Sequence, residues 1–363
     1  MNILTRNYEL IYCNSRNNLV SLYHKVNKMG GNALKSIKTV RLYSPEYRQI
    51  SMEICNILTL GNIENQLVLC HENKESHGDI DIIVSTSMTP PDIREYITTT
   101  FEPNEIYHNG NCWSFDYRDV QIDFIMCSDG DFEAYSMFYN FGLGNFIGRL
   151  THGFGLRYGQ EGLFMTHYFK DTKHKVMVSK DYPKIYEFLG LDYRRWLKGF
   201  ETLEEIFEFI SESPYFNWQK FQPSELNRIN RERNLKRASY MTFLEWMDEN
   251  VADEDHEYEF EKDKSKYLSM IDRFFPEAGL LDELARIDYE VSKKKYVVTI
   301  FNGKIVMDAF GLKGGELGKA LQGFKEYLEH RGVTDMGDYY IQSGTDKMVQ
   351  EFENYRELVT SHM

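Results

Sequence analysis

No stretch of this chain approaches the roughly 18 consecutive apolar residues that cross a bilayer, so no membrane partner is expected. The segment from Met1 to Leu10 carries Arg6 and Glu9 and lacks the apolar core of a secretory signal. Cysteine is sparse and unpatterned: Cys13, Cys55, Cys70, Cys112 and Cys127 are odd in number, widely spaced and include no CxxC. That argues against a disulfide framework and for a reducing, cytoplasmic setting. Cys70-His71 with His77 lacks the set of four ligands that a zinc site requires. Positive charge is also in deficit, with 42 Lys+Arg against 56 Asp+Glu and a net charge of −14. A general attraction to nucleic acid is therefore not expected, and any polyanion needs a local basic groove or bound metal ions.

What is present is globular. Hydrophobic residues make up 42% and aromatics 15%, enough for large, ring-rich cores, and 363 residues suit two or three domains. Residues 44–58 read as a helix, with Ser44 as cap, Pro45 in its first turn, and Ile50, Ile54, Ile57 and Leu58 on one face. Strand-like runs follow at 66–70 and 79–85, a helix at 92–100, and paired strands at 111–117 and 119–127. From 131 to about 165 the pattern is helical with glycine breaks. A short strand at 175–178 then leads to a helix from Ser179 to Leu189. Residues 201–212 and 224–250 read as helices, an acidic stretch runs from Asp253 to Asp263, and the tail opens with a strand at 296–301 before a helix at 315–330.

The chemically informative segment is HGDIDIIVS, 77–85. In a strand alternate side chains share a face, so Asp79 and Asp81 point one way and Ile80 and Ile82 the other. Two such carboxylates repel each other unless cations bind, and hard divalent cations favour oxygen ligands of this kind. In RDVQIDFIM, Val120, Ile122 and Phe124 alternate with Asp119, Gln121 and Asp123. If that strand lies beside the first, Asp123 joins the pair. Two Mg²⁺ or Mn²⁺ ions about 4 Å apart would then be held by Asp79, Asp81 and Asp123.

At this point the sequence resembles the DNA polymerase X (polymerase β-like) family of nucleotidyltransferases over about 68–200. HGDIDIIVS is similar to the family's GDVDVLIT palm strand, and VQIDFIM to the strand bearing its third metal-binding aspartate. FEAYSMFYNFGLGNFIGRL, 132–150, resembles the tyrosine-phenylalanine-threonine-glycine-serine turn, with Tyr139, Gly142 and Phe146 on matching positions. GFGLRYGQEGLF and VMVSKDYPKIYEFLGLDY, 176–193, resemble the elements that follow. The resemblance implies an α+β fold: a polymerase β-like palm with a mixed sheet and flanking helices, a small thumb-like subdomain, and a mostly helical C-terminal region. The expected segments are 1–130 for the palm, 131–200 for the thumb-like part, 201–290 for a helical region and 291–363 for binding a nucleic-acid end. It also implies metal-ligand roles for Asp79, Asp81 and Asp123, with Tyr139 and Gly142 lining the nucleotide and Arg149 close to the family's arginine position.

The family's Gly-Ser pair, which holds the terminal phosphates, is missing: those positions read Val68-Leu69-Cys70-His71. MGGNAL, 29–34, is the candidate replacement, because Gly30 and Gly31 before a short helix would offer backbone N–H groups to phosphate, with Lys28, Lys35, Lys38 and Arg41 nearby. Lys74 and His71 are further phosphate candidates. FNGKIVMDAFGLKGGELGKALQGFKEYL, 301–328, is similar to a C-terminal motif of CCA-adding enzymes and bacterial poly(A) polymerases, with Gly314-Gly315 in place of proline-glycine. Lys313, Gly314 and Gly315, with Arg228, Arg231, Arg233, Lys236 and Arg237, are thus the nucleic-acid candidates. The expected activity is transfer of a nucleotide from an NTP or dNTP to a nucleic-acid 3′-hydroxyl, terminal addition to RNA or tRNA ahead of gap-filling DNA synthesis. The competing expectations are nucleotidylation of a protein or small molecule, and a nucleic-acid-binding protein without catalysis.

Overall fold

The computed structural model describes residues 31–127, 131–251 and 258–361. Lys28, Gly30, Cys13 and part of the acidic stretch lie outside the described residues. Contacts divide the chain into two compact units, one of residues 31–165 and 177–278, the other of residues 166–176 and 279–363. This differs from the four expected segments: the boundary expected after 290 falls inside a continuous helix, Leu280–Ile300.

The first unit opens with a strap, residues 31–41, followed by strand β1 (Leu42–Tyr43) and helix α1 (Ser44–Leu60). The cap of α1 is Tyr43, whose N–H donates to Glu46 at 3.2 Å. The Ser44 hydroxyl expected there donates to the Lys74 carbonyl instead. Then come β2 (Glu64–Leu67), β3 (Ser76–His77), β4 (Asp79–Ser85), α2 (Pro90–Phe101), β5 (Ile106–Asn109), β6 (Cys112–Tyr117) and β7 (Val120–Cys127). They form a five-stranded mixed sheet in the order β2-β4-β7-β6-β5, in which β4 and β7 are parallel and the other neighbours antiparallel. β1 pairs with β3. One face of the sheet is covered by α1 and α2, because their apolar stripes meet the alternating apolar residues of the strands. Ile54, Leu58, Ile80, Ile82, Ile97, Phe115 and Ile122 are wholly inaccessible there.

Beyond the sheet, α3 (Phe132–Tyr139) and α4 (Leu143–Gly153) are separated by a tight turn at Asn140–Gly142. The helix expected to run to about 165 stops here. Gly155 and Gly162 adopt φ of +80° and +110°, and the chain turns into strands β8 (Leu156–Gly159) and β9 (Gly162–Phe169). β9 continues into β10 (Thr172–Ser179), giving a three-stranded sheet in the order β10-β9-β8. Helices α5 (Tyr182–Phe188), α6 (Tyr193–Lys198) and α7 (Leu203–Ser211) follow, the last capped by Thr202. The helix expected over 224–250 is two: α8 (Arg228–Asn234) and α9 (Ala238–Asn250). The Arg237 N–H turns back to the Asn234 carbonyl at 2.9 Å, which interrupts the axis. α10 (Leu268–Phe274) closes the unit. Much of the aromatic content is spent on a ring cluster in which Phe243 lies 4.8 Å from Phe146, 5.0 Å from Phe207 and 5.2 Å from Phe221.

The second unit is helical apart from the far half of the β9–β10 hairpin. Its helices are α11 (Leu280–Ile300), α12 (Gly303–Phe310), α13 (Gly314–His330) and α14 (Met336–Ser361), the last bent at Gly344. The strand expected at 296–301 is the end of α11. Its β-branched run Val297-Val298-Thr299-Ile300 reads as strand locally, but the helical register carries Leu284, Ile287, Val291 and Ile300 inward. The core is Ile300, Phe301, Val306, Leu312, Phe324, Leu328, Met348 and Phe352. No described helix is long and apolar enough to cross a membrane.

Candidate functional site

The α1/α2 side of β4 is apolar, so the alternation of a strand forces Asp79 and Asp81 onto the opposite face, where they keep partial exposure although their carboxyls are largely enclosed by protein. The parallel pairing of β4 with β7 puts Asp81 directly beside Asp123 and Asp79 beside Gln121. On the other side of β7, Ser114 of β6 stands opposite Asp123. Neighbouring strands lie about 4.8 Å apart, so the three aspartates share one small patch of sheet.

Their charges oppose one another. Burial, then Asp79 and Asp123, hold the Asp81 carboxyl well above the ordinary carboxylate range, with Lys74 working in the opposite sense. Burial raises Asp123 to about 6; hydrogen bonds from Ser114 and Gln121 temper the rise and Asp79 adds to it. Asp79 is raised by burial, against the pull of Lys74 and Arg41. Among the described residues no three His, Cys, Asp or Glu side chains already stand as a ligand cage. The fit to a divalent cation is therefore one of donor chemistry: three hard oxygen donors on one face, with mutual repulsion that a cation would relieve.

The surroundings are mixed. His77 of β3 is buried and stacks on Tyr47 of α1 with ring centroids 3.6 Å apart, and burial lowers its pKa to about 4, so it is neutral. Burial drives the Tyr47 phenol upward, reinforced by Cys70, Asp81 and Asp79. Burial and Asp123 push the Cys112 thiol up to about 12, so it is an inert neighbour rather than a nucleophile. Lys74 is half-buried in the loop between β2 and β3, and its charge is felt by Asp79, Asp81, Cys70 and His77. Arg41 donates to the Ser76 hydroxyl at 3.2 Å and to the Ser76 carbonyl at 3.0 Å.

Tyr139 is brought to this patch. Its hydroxyl donates to Gln160 Oε1 at 3.0 Å, which Asn111 also reaches at 3.2 Å, and its phenol is raised chiefly by burial with a contribution from Asp81. The turn that follows is clipped to the loop after β2. The Leu69 N–H donates to Asn140 Oδ1 at 2.9 Å and the Phe141 N–H to the Leu69 carbonyl at 2.7 Å. Phe141 and Gly142 take φ of +59° and +69°, so Gly142 serves the turn that starts α4.

Other expected residues are placed differently. Gly31 lies against the residues beside the aspartates: its N–H donates to the Gly78 carbonyl at 2.5 Å, and the Ala33 N–H donates to Gln121 Oε1 at 2.9 Å. The Lys35 and Ser36 N–H groups go to the Glu105 carboxylate, and no helix follows the glycines. Gly30 lies outside the described residues, and the N–H groups of Gly31, Ala33, Lys35 and Ser36 all have acceptors inside the protein, so these four are not turned to a phosphate. The Arg149 guanidinium is turned to the Lys220 carbonyl and its pKa is lowered by burial, so it is a structural brace. Within the basic cluster Arg231 donates to the carbonyls of Pro223 and Leu226 at 2.7 and 3.0 Å. Burial and Arg233 lower Arg237 to about 10. Arg228, Arg233 and Lys236 are exposed. Lys313, Gly314 and Gly315 open α13 in the second unit and are exposed.

Sequence reasoning missed Gln121, Ser114 and Tyr47. Gln121 carried a signal, two residues before Asp123 on the same strand face. Ser114 and Tyr47 carried none, since only strand order and helix placement bring them in. No protein-family model and no curated protein matches the chain.

Proposed function

We propose that this protein is a metal-dependent nucleotidyltransferase, transferring NMP or dNMP from a nucleoside triphosphate to a hydroxyl, with a nucleic-acid 3′ end as the favoured acceptor. The observation that carries the reading is the parallel pairing of β4 with β7, which sets Asp81 beside Asp123 with Asp79 one alternation away on the same half-open face. The reaction forms a bond from the acceptor oxygen to the α-phosphorus and breaks the bond to pyrophosphate. Asp79, Asp81 and Asp123 are the residues that would hold divalent ions, which when bound polarise the phosphate and lower the pKa of the attacking hydroxyl. Asp123, beside Asp81 on the neighbouring strand, is the candidate to accept the acceptor proton. Lys74 supplies positive charge on the side of Asp79 and Asp81, and Tyr139 offers a ring edge for sugar or base.

The resemblance of 301–328 to end-adding enzymes favours terminal addition, and the exposed Arg228, Arg233 and Lys236 offer phosphate contacts. A second reading, with a protein or small-molecule acceptor, is favoured by the net charge of −14 and the commitment of Arg149 and Arg231 to backbone carbonyls. Incubation with Mg²⁺ or Mn²⁺, labelled NTPs or dNTPs, and single-stranded, gapped and tRNA-like acceptors decides between them. Label on a nucleic-acid end supports the first reading, and label on protein or a small molecule supports the second. No Asp123-dependent transfer in any arm refutes both.

A further inference from the structure

Gln121 is 2% exposed, yet it carries a full carboxamide on the face of the sheet that holds the aspartates. Both ends of the amide are committed. Its Oε1 accepts from the Ala33 N–H at 2.9 Å, and its Nε2 lies 3.0 Å from each carboxylate oxygen of Asp123. The first bond fixes the sense of the second. A backbone N–H is a donor only, so it demands the amide oxygen, which leaves the NH₂ group facing the carboxylate. Flipped the other way, the amide would set an oxygen against Asp123 and a donor against a donor.

The strap that supplies Ala33 is itself tied down along its length. Gly31 bonds to Gly78, the residue before Asp79; Lys35 and Ser36 bond to Glu105; and the Val40 N–H donates to the Asp119 carbonyl at 2.8 Å. Glu105 is anchored in turn, its N–H donating to Asp116 Oδ1 at 2.8 Å. Gly31 packs so closely on Gln121 that a Cβ there would run into the carboxamide. Side chain and strap are built around each other.

We propose that Gln121 is a positioning residue for the third carboxylate, oriented by the strap, and that residues 31–40 serve to hold Asp123 in its metal-ligating direction rather than to bind phosphate. This rests on the reading of Asp79, Asp81 and Asp123 as ligands of a divalent ion. Ligating carboxylates depend on hydrogen-bonded neighbours for their aim, and loss of such a neighbour weakens metal affinity by roughly ten- to a hundredfold. Gln121→Leu keeps the bulk and removes both bonds. Gly31→Val leaves Gln121 in the chain but forces its carboxamide aside.

The test is Mn²⁺ titration of the EDTA-stripped full-length protein, followed by electron paramagnetic resonance of the free ion, with thermal melting as a check on folding. The wild type is expected to bind, Asp123→Asn to lose affinity, and both Gln121→Leu and Gly31→Val to bind roughly tenfold more weakly or worse while still melting cooperatively. If Gln121→Leu does not fold, Gln121→Asn, one methylene too short to span Ala33 and Asp123, is expected to show the same loss. Wild-type affinity in the folded Gln121 and Gly31 variants, with affinity lost in Asp123→Asn, overturns the positioning role and leaves the metal reading standing. Unchanged affinity in Asp123→Asn, or no binding by the wild type, overturns both.

Discussion

Asp81 stands between two other carboxylates, and the sign of its pKa shift has a measurable consequence. A carboxyl whose folded pKa is raised is easier to ionise in the unfolded chain, so its protonated form favours the fold and that stability is lost as pH rises through the folded pKa. For Asp123, raised from 3.8 to about 6, the loss falls between those values and amounts to at most about 3 kcal/mol. In EDTA the contribution of Asp123 to stability is therefore expected to be smaller at pH 7.5 than at pH 4.5, and Asp81→Asn is expected to raise the melting temperature at pH 7.5. Calorimetry in EDTA and then in excess Mg²⁺ checks this; no gain from Asp81→Asn counts against the repulsion. His77 acts with the opposite sign. Its pKa is lowered from 6.5 to about 4, so protonation of the unfolded chain removes stability as pH falls through that window. The two effects overlap and separate only by variant: the stability of His77→Gln relative to wild type should rise towards acid, while that of Asp123→Asn relative to wild type should rise towards neutral pH. Asp123→Asn should also cut transfer by about a hundredfold or more if Asp123 takes the acceptor proton, read as initial rates of label incorporation.

At the scale of elements, β4 has one face for the core and one for chemistry. Ile82 is wholly inaccessible under α1 and α2, and Ile82→Ala should cost about 2–5 kcal/mol in chemical denaturation. A loss well below that range would mean that the sheet does not carry this core. Gly162 opens β9 at φ +110°, where an added Cβ would meet the Ser179 carbonyl oxygen at 2.5 Å. Gly162→Ala must therefore both strain the backbone and push β9 away from the end of β10, at a cost of roughly 2 kcal/mol or more. A neutral melting curve for that variant would contradict a strand that begins at Gly162.

At the scale of the molecule, the cluster under the five-stranded sheet and that of the second unit share no residue among those described: one is built on Ile54, Ile82 and Ile122, the other on Phe324, Leu328 and Phe352. Phe352→Ala is expected to destabilise the second unit by about 3–5 kcal/mol, while Mn²⁺ binding by the first unit is retained. Loss of Mn²⁺ binding in that variant, with the first unit still folded by limited proteolysis, would show that the carboxylate patch depends on the second unit.

Local patterns sufficed for the parts of this protein whose physics is local. The alternation in DIDIIVS and VQIDFIM determined which face of each strand carries carboxylates, and the apolar spacing in 44–58 determined α1, because both depend only on the repeat of the backbone. The run at 296–301 misled for the same reason: β-branched residues favour strand until a helix begun at Leu280 carries them onward. Tertiary structure alone decided that β4 and β7 are parallel neighbours in a register that seats Asp81 against Asp123. It also decided that Gly31 and Ala33 meet Gly78 and Gln121 rather than a phosphate, and that Arg149 turns to Lys220. Those are contacts between residues far apart along the chain. A backbone donor or a guanidinium takes whichever acceptor the fold brings to it, and no periodicity in the sequence encodes that choice.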